Sequence, residues 1–206
     1  MMRGLIGKKV GMTRIFDENG HIIPITVLEA GPCVVTQVKT IGKDGYDAVQ
    51  VGYKERKAKH TNKPLQGHFD KASVSPKKIL AEFEKVPSFN YKTGQLFNAG
   101  LFKNGDFVNI TGTSKGHGFS GVIKRHNFSL QRKTHGMGDT ARHGGSIGAA
   151  SYPSRVFPGK KMPGHYGNVK VTVKNLQVIK VDQEKNQLLV KGSVPGAKNR
   201  IVIICR

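Results

Sequence analysis

KGHGFSG, residues Lys115 to Gly121, sets Gly116, Gly118 and Gly121 at the G-x-G-x-x-G spacing that lets backbone amides close around a phosphate. FVNITG ahead of it has strand character, GVIKRHNF after it has the start of a helix, and Asp139 lies about where a dinucleotide fold keeps its ribose-binding acid. Such a fold needs a second strand between that helix and that acid. NFSLQRKTHGMGD offers one Leu and neither Val nor Ile, so Asp139 has no strand to hold it. A kinase phosphate loop fares no better, because no V-A-I-K, H-R-D or D-F-G follows. What survives is phosphate recognition without a nucleotide fold: glycine amides, the dipole of a helix opening near Phe119, and the charges of Lys115, Lys124 and Arg125, with an RNA backbone as the anion.

Other catalytic constellations are thin. His117, His126, His135, His143 and His165 include no i, i+4 pair beside a carboxylate, and Asp139 is the one acid between Thr113 and Asn168. GFSG lacks the G-x-S-x-G spacing of a nucleophile elbow, and GGSIG has that spacing but no ordered acid partner, so no hydrolase is expected. No catalytic residue, metal ligand, cofactor or small-molecule substrate is expected. His117, His135, His143 and His165 read instead as contacts to sugar, phosphate or base.

The charge balance points the same way. Thirty-four Lys plus Arg against thirteen Asp plus Glu give a formal charge of +21, a self-repulsion that a polyanionic partner relieves. No run approaches the ~20 apolar residues of a membrane span, and the cations are scattered among glycines instead of lining an amphipathic helix. Nucleic acid is expected, a membrane is not. Cys33 and Cys205, the only cysteines, have no zinc spacing and read as small hydrophobes in strands. MMRGLIGKKVGM lacks a cleavage-site pattern, so a cytoplasmic location is expected.

The elements that carry these residues are mostly strands. HIIPITVLEA sets Ile23, Ile25 and Val27 on one face, CVVTQVKTI alternates through Val34 or Val35 and Val38, and YDAVQVGY pairs Val49 with Val51. KERKAKHTNKP reads as a solvated or RNA-facing loop, contributing Lys54, Arg56, Lys57 and Lys59. The stretch that follows holds short helices or a strand near Ile79 to Phe83. NGD makes a turn into Phe107, Val108 and Ile110; NVKVTVKNLQVIKVD alternates, with a bulge near Lys174 to Leu176; QLLVKG and NRIVIICR add two more strands. Strands from both ends of the chain are expected to close one small β-barrel.

Residues 113–168 break this pattern. They hold eleven glycines and nine cations (Lys115, Lys124, Arg125, Arg132, Lys133, Arg142, Arg155, Lys160, Lys161), but only Val122, Ile123, Leu130, Ile147 and Val156 among Leu, Ile and Val. So few core-forming side chains do not repay the ordering entropy of such a segment. Phe119, Phe128, Tyr152, Phe157 and Tyr166 add faces on which unpaired bases stack. The mixture suits an arm threaded through folded RNA.

GLIGKKVGMTRIF, ITGTSKGHGFSGVIKRHNF, HGGSIG, VFPGKKMPGHYGN and LLVKGSVPG, in that order, together resemble the bacterial form of the universal large-subunit ribosomal protein L-three. The resemblance implies a mainly β fold: a small closed barrel like that of translation factors, a small α+β insertion and a long Gly/Lys/Arg-rich looped extension. It divides the chain into barrel strands in 1–57, a mixed insertion in 58–92, barrel-associated strands in 93–112, an RNA-penetrating arm in 113–168 and closing strands in 169–206. It further implies binding to large-subunit ribosomal RNA, a part in nucleating assembly, contacts with neighbouring ribosomal proteins, and an arm reaching toward the peptidyl-transferase centre. The tip would comprise Gly145, Ser146, Ile147, Gly148, Ala149, Ala150, Ser151, Tyr152 and Pro153. Many relatives carry a methylated glutamine after S-I-G; Ala149 stands there in this chain, so that modification is not expected, and Tyr152 is the candidate for planar contact. Arg3, Lys8 and Lys9 extend the expected footprint at the N-terminal strand.

Overall fold

A computed structural model describes residues 3–206. The chain opens with a long hairpin of β1 (Gly4–Phe16) and β2 (Ile22–Ala30), followed by β3 (Cys33–Lys39), a single helical turn α1 (Ile41–Asp44) and β4 (Ala48–Glu55). Next come α2 (Lys63–Lys71), β5 (Lys77–Glu84), the two-residue β6 (Leu96–Phe97) and β7 (Phe107–Thr113). β8 (Gly118–Ser120), α3 (Val122–His126) and β9 (Gly164–Tyr166) belong to the glycine-rich segment. β10 (Lys170–Asp182), β11 (Gln187–Lys191) and β12 (Ile201–Cys205) complete the chain.

Six strands form a closed barrel in the order β1-β12-β7-β10-β11-β2. The strands at the two ends of the chain do meet, with Gly4 opposite Cys205 and Leu5 opposite Ile204. Closure removes the open edges that invite non-native pairing. β3 and β4, expected among the barrel strands of 1–57, lie instead in a second sheet of order β5-β4-β3-β6. β6 joins them there, so of the strands in 93–112 only β7 is a barrel strand. The physical reason is that both edges of β4 are taken: it pairs with β3 on one side and on the other with β5, along seven residue pairs from Ala48↔Glu84 to Glu55↔Lys77, which leaves it no barrel neighbour.

The segment after β4 contains both of the structures between which its sequence did not choose. Asn62 and Pro64 open α2, whose Phe69 is buried, and β5 then covers Ile79 to Phe83. KERKAKHTNKP is correspondingly less of a loop than expected, since Lys54 and Glu55 finish β4 and Ala58–His60 form a turn of 3₁₀ helix.

Barrel and second sheet share one apolar core. Leu5, Ile6, Leu28, Val108, Ile110, Val178, Leu188, Val190, Val202 and Ile204 come from the barrel; Val35, Val49, Val51, Tyr53, Phe83 and Phe97 come from the sheet. Each large side chain buried there is worth about 1.5–3 kcal/mol. In β2 the inward residues are Ile25, Thr26, Leu28 and Ala30, while Ile23 and Val27 are only partly covered. The expected Ile23-Ile25-Val27 face thus survives only at Ile25. The expected bulge in β10 is present between Val173 and Leu176, with Asn175 at φ 56° and its amide donating to Asn109 Oδ1.

Cys33 is buried in β3, where its thiol donates to the Ile6 carbonyl at 3.4 Å, and Cys205 is partly covered in β12. Burial pushes the Cys33 thiol up to about 11 and raises that of Cys205. The thiolate is the reactive form. At pH 8 a disulfide reagent should therefore modify Cys33 in the native protein about 100-fold more slowly than in denaturant, as thiol titration before and after unfolding would read.

Candidate nucleic-acid interface

The chain divides into two compact units, one running to Thr113 and resuming at Lys170, the other spanning Ser114–Val169. The second unit is held at its base by backbone. Ser114 N–H donates to the Val169 carbonyl, His117 N–H to Tyr166 and Asn168 N–H to Lys115. β8 and β9 pair through Gly118↔Tyr166, Phe119↔His165 and Ser120↔Gly164. His117 stacks on Tyr166 with ring centroids 5.0 Å apart. Gly167 has φ +75°, and a Cβ there would stand 2.1 Å from the Lys115 carbonyl oxygen, so only glycine lets the two strands approach this closely.

α3 fixes the next part. Its Asn127 cap is left-handed, and Lys124, Arg125 and His126 crowd its last turn, where cations complement the exposed carbonyls. Arg125 Nη1 donates to the Met162 carbonyl at 2.7 Å, and His126 Nε2 lies 3.1 Å from the same oxygen. Gly164 makes room for that guanidinium, since a Cβ would sit 2.6 Å from Arg125 Nη1. Arg125 is thus partly a strut between α3 and β9, not solely a phosphate ligand. The expected helix opening near Phe119 starts instead at Val122 and lasts five residues, too short for a sizeable dipole. β8 leads into it, but β8 pairs only with antiparallel β9, so the β-α-β unit of a dinucleotide fold is missing and Asp139 lies exposed in a turn.

Between α3 and β9 the unit has scarcely any interior. Only Ser120, Val122 and Gly167 are buried in it. Lys115, His117, Lys124, Arg132, Lys133, His135, Arg142, His143, Arg155, Lys160, Lys161 and His165 are all exposed. The fold draws four of these together: Arg142, His143, Lys160 and Lys161 rim a cleft of about 550 Å³ floored by Val122, Ile147 and Met162. Cations around an apolar floor match a nucleotide, with phosphate at the rim and ribose or base on the floor. Residues 145–150 line a neighbouring hollow with Arg155 and Val156. Arg155 lies over the Phe157 ring at 5.6 Å, and Tyr152 is 89% exposed.

In the barrel unit the expected footprint needs correction. Lys9 is only 7% exposed, and its ammonium donates to the carbonyls of Val194 at 2.6 Å and Gly196 at 3.2 Å. It faces inward and is not placed to meet a phosphate. Lys8 pairs with Glu29 at 3.0 Å. Arg3 pairs with Glu84, both largely exposed, an arrangement that contributes little and yields readily to another anion. Arg56, Lys57 and Lys59 are exposed. Lys78 and Arg200, which the sequence does not single out, line a cleft with Lys54. The visible signal for Lys78 was a lysine pair ahead of an apolar run, KKIL, but its register opposite Lys54 appears only once β4 and β5 are paired.

The sequence profile of the family described as Ribosomal protein L3 matches residues 79–188. The chain is also 53% identical over 203 residues to the large ribosomal subunit protein uL3 of Alkaliphilus metalliredigens, an alignment spanning 98% of this chain and 96% of that relative.

Proposed function

Because the chain belongs to the ribosomal protein L3 family, we propose that it is built into the large ribosomal subunit by an arm, Ser114–Val169, that takes its place against ribosomal RNA. A structural protein of the large subunit is what membership implies; the arm's role is the finer reading. The observation that carries it is a segment with nine cations and one carboxylate and just three buried residues, which supplies phosphate neutralisation everywhere and a self-sufficient core nowhere. Lys115, Lys124, Arg132, Lys133, Arg142, Arg155, Lys160 and Lys161 neutralise phosphates, Arg125 does so with the part of its guanidinium that Met162 leaves over, and His117, His135, His143 and His165 contact sugars or bases. Gly145 to Pro153 form the tip toward the peptidyl-transferase centre. Arg3, Arg56, Lys57 and Lys59 extend the footprint on the barrel unit, and Lys9 is left out of it.

The mechanism is charge neutralisation and shape filling, with no chemical group donated to peptide transfer. Binding early and over many phosphates is how the protein would nucleate subunit assembly, in the cytoplasm and beside neighbouring ribosomal proteins. Co-sedimentation tests the reading. Stoichiometric presence in large subunits that persists through washing at high salt is the expected result of an arm enclosed by assembled RNA; release at moderate salt would mark a transient, surface-bound factor instead, whose phosphate contacts salt competes away.

A further inference from the structure

Strand pairing forces two lysines together outside the arm. Tyr53 faces Ile79 and Glu55 faces Lys77 across β4 and β5, a register that sets Lys54 opposite Lys78. Like charges directly opposite on one sheet destabilise it. Lys54 also carries φ 56°, a left-handed backbone that costs a lysine about 1 kcal/mol or more. Arg200 lines the same cleft, about 350 Å³ in volume, with the polar side chains of Thr113 and Asn199. Burial first, then the charge of Lys8, hold the Lys54 ammonium below its ordinary pKa against the opposing pull of Glu29, with Lys78 adding to the repulsion.

The nearby carboxylates are already engaged. Glu29 accepts from Lys8 at 3.0 Å and from the Tyr53 hydroxyl at 3.0 Å. Burial opposes its charged form, but those two bonds outweigh it and leave its carboxyl below the usual range. Glu55 takes Lys77 at 3.5 Å and Ser75 at 3.2 Å. Three cationic residues line a recess with one strained backbone and no carboxylate among its lining residues. Such a cluster is stabilised when an anion enters it.

We propose that Lys54, Lys78 and Arg200, helped by Thr113 and Asn199, form a site on the barrel unit for a backbone phosphate of the ribosomal RNA. The site rests on the function proposed above but uses none of the arm's residues. An internucleotide phosphate and a free polyphosphate share the required chemistry, and the experiment separates them.

Full-length protein is compared with K54Q/K78Q/R200Q and with K43Q/K63Q/K185Q, which removes three exposed lysines lying outside the cleft. The first readout is affinity for large-subunit ribosomal RNA across a salt series. The cleft variant should bind about tenfold more weakly at 0.1 M salt and lose about one unit of salt slope, whereas the control variant should change by less than half as much. The second is thermal unfolding with inorganic pyrophosphate against chloride at equal ionic strength: wild type and control should gain about 2 °C or more, the cleft variant much less. Without anion the cleft variant should be at least as stable as wild type, because repulsion has been removed. A cleft variant that unfolds earlier would show the cations holding the fold, and one with an unchanged salt slope would show that RNA does not enter; either overturns the proposal. Pyrophosphate protection without any effect on RNA binding would assign the cleft to a free anion and overturn it too. Should wild type bind no ribosomal RNA at all, the function proposed above fails, and the pyrophosphate comparison still reads the cleft by itself.

Discussion

Deleting residues 142–155 should leave the barrel unit folded and cut incorporation into large subunits from near stoichiometric to about one copy in ten or fewer. Every large side chain of the apolar core, from Leu5 to Ile204, lies in the other unit, so the deletion removes none of its packing. Shortening a loop of this length by fourteen residues changes closure entropy by only a few tenths of a kcal/mol. On the RNA side the loss is heavy. Arg142 and Arg155 go, the cleft loses Arg142 and His143 from its rim and Ile147 from its floor, and the whole tip disappears. Phosphate contacts set the register on which the remaining contacts depend, so the effect exceeds the two charges removed. Thermal unfolding of the purified variant and quantification of its share in sedimented large subunits check the two halves. A barrel that melts many degrees lower would mean that the arm is part of the core; full incorporation would mean that the tip is dispensable.

How far the residues alone led depends on what period-two patterning reports. It marks a strand, and β2, β3, β4, β7, β10, β11 and β12 all fall where alternation put them. It does not report the strand's partners, because pairing between distant segments leaves no local trace. That is why β3 and β4 were grouped with the barrel although they pair with β5 and β6. Nor does it fix which strands lie under a second layer. Val169 and Val171 alternate as well as any core strand, yet both are exposed, since β10 over Lys170–Val173 has only β7 beside it.

The candidate interface was legible for a different reason: composition. A segment rich in cations and glycine and poor in aliphatic residues has no alternative interior in which to hide them, so nearly every predicted cation of the arm is exposed. Arg125 is the exception, because the Met162 carbonyl needs a donor and α3 aims one at it. In the barrel unit, where an interior exists, reading exposure from residue type fails at Lys9. The cleft of Lys54, Lys78 and Arg200 joins residues far apart in the chain, and no spacing rule anticipates that.

Lys9→Met separates the two readings of that residue. As an RNA ligand, Lys9 would be replaced at no cost to stability, with weaker binding and a salt slope reduced by about one unit. Its surroundings imply the opposite. The stem is enclosed, the ammonium bonds two carbonyls of the β11–β12 connection, and the backbone pins the same connection, with Lys9 N–H donating to Arg200 and Asn199 N–H donating to Lys9. β1 bulges at this point, its register shifting between Lys9 and Gly11, which helps turn a residue of polar type toward the interior. Methionine would fill the stem's volume but leave the Val194 and Gly196 carbonyls without that donor. Losing charged bonds to buried acceptors costs about 2–4 kcal/mol, which lowers the unfolding temperature of a unit this size by roughly 4–16 °C. RNA affinity of the folded fraction, and its dependence on salt, should stay as in wild type. A variant of unchanged stability with a flattened salt dependence would return Lys9 to the RNA footprint and refute its inward role.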